Sequence, residues 1–163
     1  MSLSRLANPS DALPQAAAPA GSRETSFLAD CSDEDWRRIG QYCVQRRFEA
    51  GEEIVRQGEV DRSLVIVLSG SLDLTVTGGR ALQSLEVIEA PSVVGEVSFF
   101  DAGPRSATLR ARSSGELLRL SFDDFEALSA ASPSIGRMIL LDAGRIVALR
   151  LRRTTRLLLE RAR

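Results

Sequence analysis

Between residues 43 and 120 the sequence consists of short runs of β-branched and apolar residues that are separated by turns containing glycine. Runs of roughly four to eight such residues are typical of β-strands. The runs occupy residues 48–55, 63–68, 71–76, 81–88, 92–94, 105–111 and 116–120. Many short strands in succession favour a mainly β fold, so we expect a β-roll or jelly-roll barrel of about eight strands, closed to hide its edges.

Helix-start signals flank this β region on both sides. Ser32 is followed by Asp35 at the spacing of a capping box, which predicts an N-terminal helix. Ser121 is predicted to cap a short helix, and Ser132-Pro133 to begin a long helix that continues to the C-terminus. The side chains that the first two helices should bury are Trp36, Ile39 and Tyr42, and Phe122, Phe125 and Leu128.

The composition is that of one domain with a hydrophobic core. The chain has 163 residues, of which 44% are hydrophobic, and its formal net charge is -1. Residues 1–22 are rich in Ala, Pro and Ser without an apolar period, and this composition predicts a disordered leader. We therefore divide the chain into this leader, a β-roll at residues 23–131 and a C-terminal lid or dimerisation helix at residues 132–163.

Several classes of function are disfavoured by what the chain contains. Histidine is absent and there are only two cysteines, Cys31 and Cys43. A histidine-ligated metal centre, a Ser-His-Asp triad and a structural zinc site are therefore not expected, and neither is an enzyme. The two thiols should be reduced. No run approaches the ~20 apolar residues of a membrane span, and the pattern of a secretory signal is missing, which predicts a cytoplasmic protein without membrane contact.

Residues 94–108, reading VGEVSFFDAGPRSAT, carry the strongest indication of function. Gly95 permits a ligand to approach the backbone, and residues 97–101 can form one helical turn whose free N–H groups attract an anion. Arg105 offers paired donors that match two phosphate oxygens, while ionised Glu96 accepts a hydrogen bond from a ribose hydroxyl. This spacing predicts a site for a sugar phosphate. The alternative is an ordinary ion pair that closes a loop.

The same segment resembles the phosphate-binding cassette of the cyclic nucleotide-binding domain family. The positions that match the family pattern are Val94, Gly95, Glu96, Ser98, Arg105, Ser106, Ala107, Leu109 and Ala111. A second family pattern lies upstream and consists of Ile54-Val55, Gly58-Glu59, the apolar residues 64–67 and Gly70. Asp61 departs from it, because the family favours a small residue there, and we expect this turn to lie remote from the cassette. The resemblance spans residues 27–153 and implies a β-roll with the cassette between the sixth and seventh strands.

The resemblance also implies a ligand and its contacts, but no cofactor. The residues expected to bind a cyclic nucleotide are Gly95, Glu96, Val97, Ser98, Arg105, Ser106, Ala107 and Arg150. Cyclic-GMP kinases often carry a guanine-contacting threonine at the position of Ala107, so its absence here favours cyclic AMP, with cyclic GMP as the alternative. The Thr-Ser pair that catabolite activators use for selectivity aligns without gaps onto Arg150-Leu151 and is missing. We therefore expect Arg150 to cover the purine by a cation–π contact.

The predicted long helix carries a seven-residue repeat of uncharged positions, which are Leu140, Gly144, Val147, Leu151, Thr154 and Leu158. Such a repeat is the seam along which two helices pair, and the equivalent helix pairs subunits in relatives that resemble bacterial catabolite activators. We therefore expect a homodimer; the alternative is that the stripe packs on its own barrel. From Ser132 onward there are eight arginines against Asp142 and Glu160. They are spread over several faces, which favours a solvated helix over a nucleic-acid or membrane contact.

Three functional interpretations follow from the family resemblance. Regulators similar to the catabolite activators continue into a helix-turn-helix domain, for which the chain has no room before Arg163, so we do not expect nucleic-acid binding by this chain alone. The first interpretation is a free-standing sensor in which the ligand moves the long helix and the signal passes to an unidentified effector protein. The second is the sensor part of a longer transcription regulator. The third is a ligand-free dimerisation or interaction module of the same fold.

Overall fold

The computed structural model describes residues 27–78 and 81–161, so the predicted leader at residues 1–22 lies outside the described residues. In chain order its elements are α1 (Asp33–Gly40), β1 (Val44–Phe48), β2 (Glu53–Val55), β3 (Ser63–Ser69), β4 (Ser71–Gly78), β5 (Ala81–Glu89), β6 (Ser92–Val94), α2 (Glu96–Asp101), β7 (Thr108–Ala111), β8 (Gly115–Ser121), α3 (Phe122–Ala131) and α4 (Pro133–Arg161). Helix α2 lies between the sixth and seventh strands, where the resemblance predicts the cassette.

Within the described residues, eight strands form two four-stranded sheets whose paired strands are antiparallel. The first sheet has the order β1-β8-β3-β6, and the second has the order β2-β7-β4-β5. This arrangement confirms the predicted mainly β jelly roll with about eight strands. The predicted closure into a barrel is wrong, because the edge strands of the first sheet do not pair with those of the second in the part of the chain that is described.

Strand β3 is the centre of the packing because both of its faces are buried. Alternate side chains of a strand point to opposite faces, so Leu64 and Ile66 pack with the helices while Val65 and Val67 pack with the second sheet. Burying a side chain of this size stabilises the fold by about 1.5–3 kcal/mol. The packing therefore holds the start of β3, and with it Ser63, in one place beside the cassette.

One predicted strand is in fact two. The sequence predicts a single strand at residues 48–55, but β1 ends at Phe48 and β2 begins at Glu53. Between them Gly51 has a φ of 86°, a left-handed conformation that glycine adopts at little cost and that turns the chain. The two halves consequently join different sheets.

The predicted strand at residues 105–111 begins three residues late, at Thr108. The backbone N–H of Arg105 donates to the carbonyl oxygen of Glu59 at 2.8 Å, and the N–H of Gly58 donates to the carbonyl oxygen of Arg105 at 2.8 Å. These bonds join the two segments of the chain that carry the family patterns. They direct the backbone of Arg105 to a turn rather than to a sheet partner.

The helix starts agree with the sequence analysis. Ser32 and Asp35 form the predicted capping box of α1, Ser121 accepts from the N–H of Asp124 at 3.1 Å, and α4 begins at Pro133. Of the side chains expected in the core, Ile39, Phe125 and Leu128 are buried, while Trp36, Tyr42 and Phe122 are half-buried against the same cluster. None of the helices in the described residues is long and apolar enough to span a bilayer.

Helix α4 buries a face that differs from its heptad stripe. The residues that pack on the domain are Ile135, Ile139, Ala143 and Ile146. With about 100° of rotation per residue, the predicted stripe lies roughly a third of a turn away, and its Leu151 and Leu158 are 65% and 62% exposed. The stripe therefore lies off the packed face of α4, although its Thr154 and Leu158 line a cavity beside the β4–β5 hairpin, and the choice between a dimer and packing on the β-roll stays a prediction.

Candidate functional site

The cassette turns at Gly95, where strand β6 ends and helix α2 begins. Gly95 has a φ of 85°, a left-handed conformation that disfavours any residue with a side chain. A Cβ atom at this position would also lie 2.7 Å from the carbonyl oxygen of Ser63 and would overlap the guanidinium of Arg105. Glycine therefore lets the guanidinium lie directly against the backbone that begins α2.

Arg105 is almost completely buried, with 2% of its side chain exposed. Its Nη1 donates to the carbonyl oxygen of Gly95 at 3.2 Å and to Ser98 Oγ at 2.9 Å. Its Nη2 donates to Ser63 Oγ at 2.8 Å and to Asp61 Oδ2 at 2.5 Å. Since a guanidinium carries five N–H donors, these four bonds leave the Nε–H group.

That remaining donor has no hydrogen-bond partner in the part of the chain that the structure describes. Within the described residues, the buried side-chain N and O atoms that lack a hydrogen bond are Arg105 Nε and Ser129 Oγ, and Ser129 lies on α3 rather than in the cassette. An unsatisfied buried donor costs about 1–3 kcal/mol, and native structures hold few of them. A ligand oxygen bound next to Arg105 would satisfy the Nε–H group.

Glu96 is the second buried charge of the cassette, and its partner comes from α4. Arg150 Nη1 lies 2.7 Å from Glu96 Oε1, and Arg150 Nη2 donates to the carbonyl oxygen of Val93 at 3.0 Å. Arg150 Nε is also 3.9 Å from Glu86 Oε2, and Arg153 Nη1 is 2.5 Å from Glu86 Oε1. Two arginines of α4 thus tie this helix to the cassette and to β5.

Asp61 corrects the prediction that its turn lies remote from the cassette. Its Oδ2 atom is 2.5 Å from Arg105 Nη2 and 2.8 Å from Arg119 Nη2. Burial alone would raise the pKa of Asp61, but hydrogen bonds and charge from the two arginines outweigh burial and hold this pKa below its usual value. The turn reaches the cassette because β3, which follows it, runs directly beneath α2.

All eight predicted site residues line one cavity between α2, the strands of the second sheet and α4. The others that line it are apolar: Val55, Leu74, Val94 and Leu109. Arg105 and Ala107 are buried, whereas Val97 is 42% exposed at the mouth. The cavity measures about 70 Å³, while sites for small-molecule ligands usually measure about 300–1,000 Å³. A nucleotide therefore needs more room than this arrangement provides.

A second cavity, of about 410 Å³, adjoins the first and shares Leu74 and Arg150 with it. It lies between the β4–β5 hairpin and the last turns of α4, and Glu86, Arg153 and Thr154 line it. The Arg150 side chain stands where the two cavities meet. A larger groove of about 610 Å³, near Leu28 and Met138, contains none of the predicted site residues, and we place the site at the buried charges instead.

Sequence reasoning missed five residues of this region: Asp61, Ser63, Glu86, Arg153 and Thr154. The motif contained one usable signal, because Asp61 replaces a small residue of the family pattern and a new charge next to a binding motif calls for a partner. Thr154 was predicted only as part of the heptad repeat, and Ser63, Glu86 and Arg153 carry no local pattern. The packing of β5 and α4 brings Glu86, Arg153 and Thr154 to the second cavity, and β3 brings Ser63 to Arg105.

The two cysteines lie outside this region, and burial raises the pKa of both thiols. Cys31 and Cys43 are free and half-buried. Burial, and then the charges of Asp35 and Asp142, raise the pKa of Cys31 to about 12, while burial and then Asp124 raise the pKa of Cys43 to about 12. In the described part of the chain, no three His, Cys, Asp or Glu side chains gather in a group that could hold a metal ion.

Comparison with known proteins agrees with this geometry. A family model described as the cyclic nucleotide-binding domain matches residues 45–132. The chain is 33% identical over 96 residues to the cyclic AMP receptor protein of Thermus thermophilus, an alignment that covers 58% of this chain and 44% of that protein. It is 34% identical over 94 residues to a cyclic nucleotide-gated potassium channel of Rhizobium etli, covering 58% of this chain and 25% of the channel. The chain thus spans less than half the length of both relatives.

The same fold occurs among solved structures. A cyclic nucleotide-binding domain from Methylobacillus flagellatus superposes with a TM-score of 0.75 at 22% identity, covering 85% of this chain and 78% of that one. The family model covers more than half of the chain and includes the whole cassette with Glu96 and Arg105. The chain therefore belongs to the cyclic nucleotide-binding domain family.

Proposed function

We propose that this chain is a sensor domain that binds cyclic AMP at the cassette and passes the signal on through helix α4. The observation that carries the proposal is the buried Nε–H group of Arg105, which lacks a partner in the described residues and belongs to a side chain that lines the cassette cavity. A phosphate oxygen is a strong acceptor for such a charged donor. A non-catalytic role is part of the proposal, since among the described residues the carboxylate of Glu96 bonds to Arg150 and the Ser98 hydroxyl bonds to Gly95 and Arg105, so that this acid does not activate that hydroxyl.

The other contacts follow from the residues around Arg105. Ser106 and Ala107 follow it directly and line the same cavity, which supports contacts from their backbone N–H groups to a phosphate at Nε. A carboxylate has about four acceptor positions, and Arg150 uses one on Glu96. Glu96 consequently keeps acceptor positions for a ribose hydroxyl. The carboxylate of Glu96 and the guanidinium of Arg105 then hold the two ends of one ligand.

Helix α4 is the element that we propose to move. The cavity of about 70 Å³ is too small for a nucleotide, and Arg150 separates it from the adjoining cavity of about 410 Å³. Displacing Arg150 joins the two spaces, so that the purine lies beside Leu74 and within reach of the Thr154 hydroxyl. Binding then shifts the equilibrium between two positions of α4, by a free energy equal to the difference in the ligand's binding free energy for them. An effector protein recognises the position that the ligand favours.

The preference for cyclic AMP rests on two supports. Ala107 is buried in the cavity wall and offers no hydroxyl to a guanine. The relative from Thermus thermophilus is named as a cyclic AMP receptor protein. We expect cyclic AMP to bind more tightly than cyclic GMP in parallel titrations, and equal affinities would remove this part of the proposal.

The proposed contact is tested by calorimetric titration of cyclic AMP into wild type, Arg105→Ala and Arg110→Ala. Removing the guanidinium should cost about 2–5 kcal/mol, which is a loss of at least ~25-fold in affinity. Arg110→Ala is the matched control, because Arg110 bonds to Gly51 and Glu53 on the surface and does not line the cavity. Binding by the Arg105 variant within threefold of wild type would contradict the proposal. No binding by folded wild type would favour the ligand-free interaction module instead.

The exposed stripe of α4 supports a homodimer as the unit that senses the ligand. Leu140, Leu151 and Leu158 share one face and are 40%, 65% and 62% exposed, and a second copy would bury them along a two-helix seam. Sedimentation of wild type, Leu158→Asp and Leu159→Asp provides the test. We expect Leu158→Asp to dissociate the dimer, whereas Leu159, equally exposed but ~100° around the helix, serves as the control. A wild-type monomer at high micromolar concentration would contradict the dimer.

A further inference from the structure

Asp61 is an unusual neighbour for a site that binds an anion. Its side chain is 20% exposed and lies against Arg105, the residue proposed to contact phosphate. The Oδ2 atom of Asp61 is 2.5 Å from Arg105 Nη2, on the same guanidinium whose Nε–H group is proposed to contact the ligand. An incoming phosphate therefore meets a cation that already has an anionic partner.

A second arginine completes this arrangement. Arg119 Nη2 is 2.8 Å from Asp61 Oδ2, and Arg119 Nε donates to Ser63 Oγ at 3.1 Å. Ser63 Oγ also donates to Asp61 at 3.1 Å and accepts from Arg105 at 2.8 Å. We call Asp61, Ser63, Arg105 and Arg119 the Asp61 cluster. Its two guanidiniums and one carboxylate leave a single net positive charge.

We propose that Asp61 is a specificity-determining residue, which matches the pocket to a phosphodiester with one negative charge and discriminates against a phosphomonoester with two. This inference rests on the proposed function. One charge on the ligand balances the single net charge of the Asp61 cluster. A phosphomonoester carries close to two charges above its second pKa of about 6, so that its second charge would be unpaired in the pocket and repelled by Asp61.

The distinction is chemically useful to a sensor of cyclic nucleotides. When water hydrolyses one P–O ester bond of the cyclic phosphate, the product keeps the same base and ribose but becomes a monoester with one more ionisable oxygen. Glu96 and the purine contacts are equally available to both molecules. The charge of the phosphate therefore distinguishes the cyclic nucleotide from its hydrolysis product, in addition to the shape of the ring. Asp61 sets the net charge of the pocket that receives this phosphate.

The test measures dissociation constants of cyclic AMP and of 5′-AMP at pH 8, by displacement of a fluorescent cyclic AMP analogue, for wild type and Asp61→Asn. Asparagine keeps the size of Asp61 and an oxygen that accepts from Arg105, but it removes the charge. We expect the preference for cyclic AMP over 5′-AMP to fall on the order of tenfold, as for one unit charge added near the phosphate. The effect of ring shape on the preference is the same in both proteins, so it cancels when the preference of Asp61→Asn is compared with that of wild type.

Two further variants complete the test. Asp73→Asn is the matched control, because it makes the same chemical change at a residue whose arginine partner, Arg112, is 3.8 Å away on the surface, and it should leave the preference unchanged. Arg119→Gln removes a positive charge from the Asp61 cluster and should raise the preference for cyclic AMP. This opposite sign tests the inference even if Asp61→Asn does not fold.

The possible outcomes separate this inference from the proposed function. If wild type binds cyclic AMP but the preference in Asp61→Asn stays within twofold of wild type, Asp61 does not select the charge of the ligand, although the sensor function stands. Equal tightening of both ligands would likewise overturn the selective role of Asp61. If wild type binds neither nucleotide, the proposed function itself is wrong and the role of Asp61 fails with it.

Discussion

Replacing Gly95 with alanine tests the geometry of the cassette without removing any charged group. The alanine must adopt a φ of 85°, which costs roughly 1–2 kcal/mol for a residue with a Cβ atom. The Cβ also meets the carbonyl oxygen of Ser63, which β3 holds in the core, and the guanidinium of Arg105. Relieving both contacts requires Arg105 to move and the backbone at position 95 to shift away from Ser63.

Moving Arg105 breaks the two bonds of its Nη1, to Gly95 and Ser98. Hydrogen bonds to charged groups contribute about 1.5–3 kcal/mol each, and partial relaxation should recover some of that. We therefore expect Gly95→Ala to lower the unfolding free energy by about 3–5 kcal/mol. Cyclic AMP affinity should fall by at least ~25-fold, since the displaced guanidinium no longer presents Nε to the cavity.

Gly51→Ala is the matched control. Gly51 has a φ of 86°, and nothing lies within 4 Å of the position of an added Cβ. Backbone strain alone should therefore lower the unfolding free energy of this variant, by about 1–2 kcal/mol, and cyclic AMP should bind normally. Both substitutions restrict the unfolded chain alike, and the difference between them isolates the contact with Arg105. Urea unfolding followed by circular dichroism, together with calorimetric binding, measures both effects. Equal stability of the two variants, with cyclic AMP binding by Gly95→Ala within threefold of wild type, would refute the reasoning.

Two further predictions concern other parts of the molecule. Glu96 and Arg150 form a largely buried pair, so removing either partner leaves the other unsatisfied. In urea unfolding we therefore expect the Glu96→Gln, Arg150→Gln double variant to lose about 0.5–3 kcal/mol less stability than the sum of the single variants; additive losses would show that the pair does not couple α4 to the cassette. Because the pKa values of Cys31 and Cys43 are raised to about 12, native thiols at pH 8 should react with a thiol reagent at least ~100-fold more slowly than thiols in urea, and comparable rates would contradict their burial. The same raised pKa values predict a pH effect, since the thiols of the unfolded chain ionise near their ordinary pKa of 9.0 while native thiols stay protonated. The stability that they contribute is complete below pH ~9 and declines towards pH ~12, which urea midpoints across this range would reveal.

The parts of the fold that could be predicted from sequence depend on residues close together in the chain. The capping box of Ser32 and Asp35 and the start of α4 at Pro133 involve groups within one helical turn, and both are confirmed. The cassette is similar, because Glu96 and Arg105 lie on one short segment that wraps around one cavity. Residue types and spacing were sufficient to bring these two side chains to one cavity, and their binding of a ligand stays a prediction.

The errors arose where distant segments meet. Asp61 lies 44 positions from Arg105, and Glu96 lies 54 positions from Arg150, so no local sequence pattern predicts either pair. Closure of the sheets was wrong for the same reason, because pairing between edge strands depends on how two complete sheets pack. The single strand predicted at residues 48–55 is a local error instead, because the left-handed turn at Gly51 sends the two halves to different sheets.

The sequence by itself determined the chemistry that is available: a glycine where a guanidinium must touch the backbone, one acid and one base in a short segment, and an apolar period for each strand and helix. Only the tertiary structure decided which charges are already paired, which donor of Arg105 is left over, and that the heptad stripe of α4 faces outward. The physical reason is the separation along the chain of the residues that interact. Hydrogen bonds and side-chain periods within a turn or a strand are set by neighbours along the chain, whereas ion pairs and unsatisfied donors depend on the packing of β3, the cassette and α4 against one another.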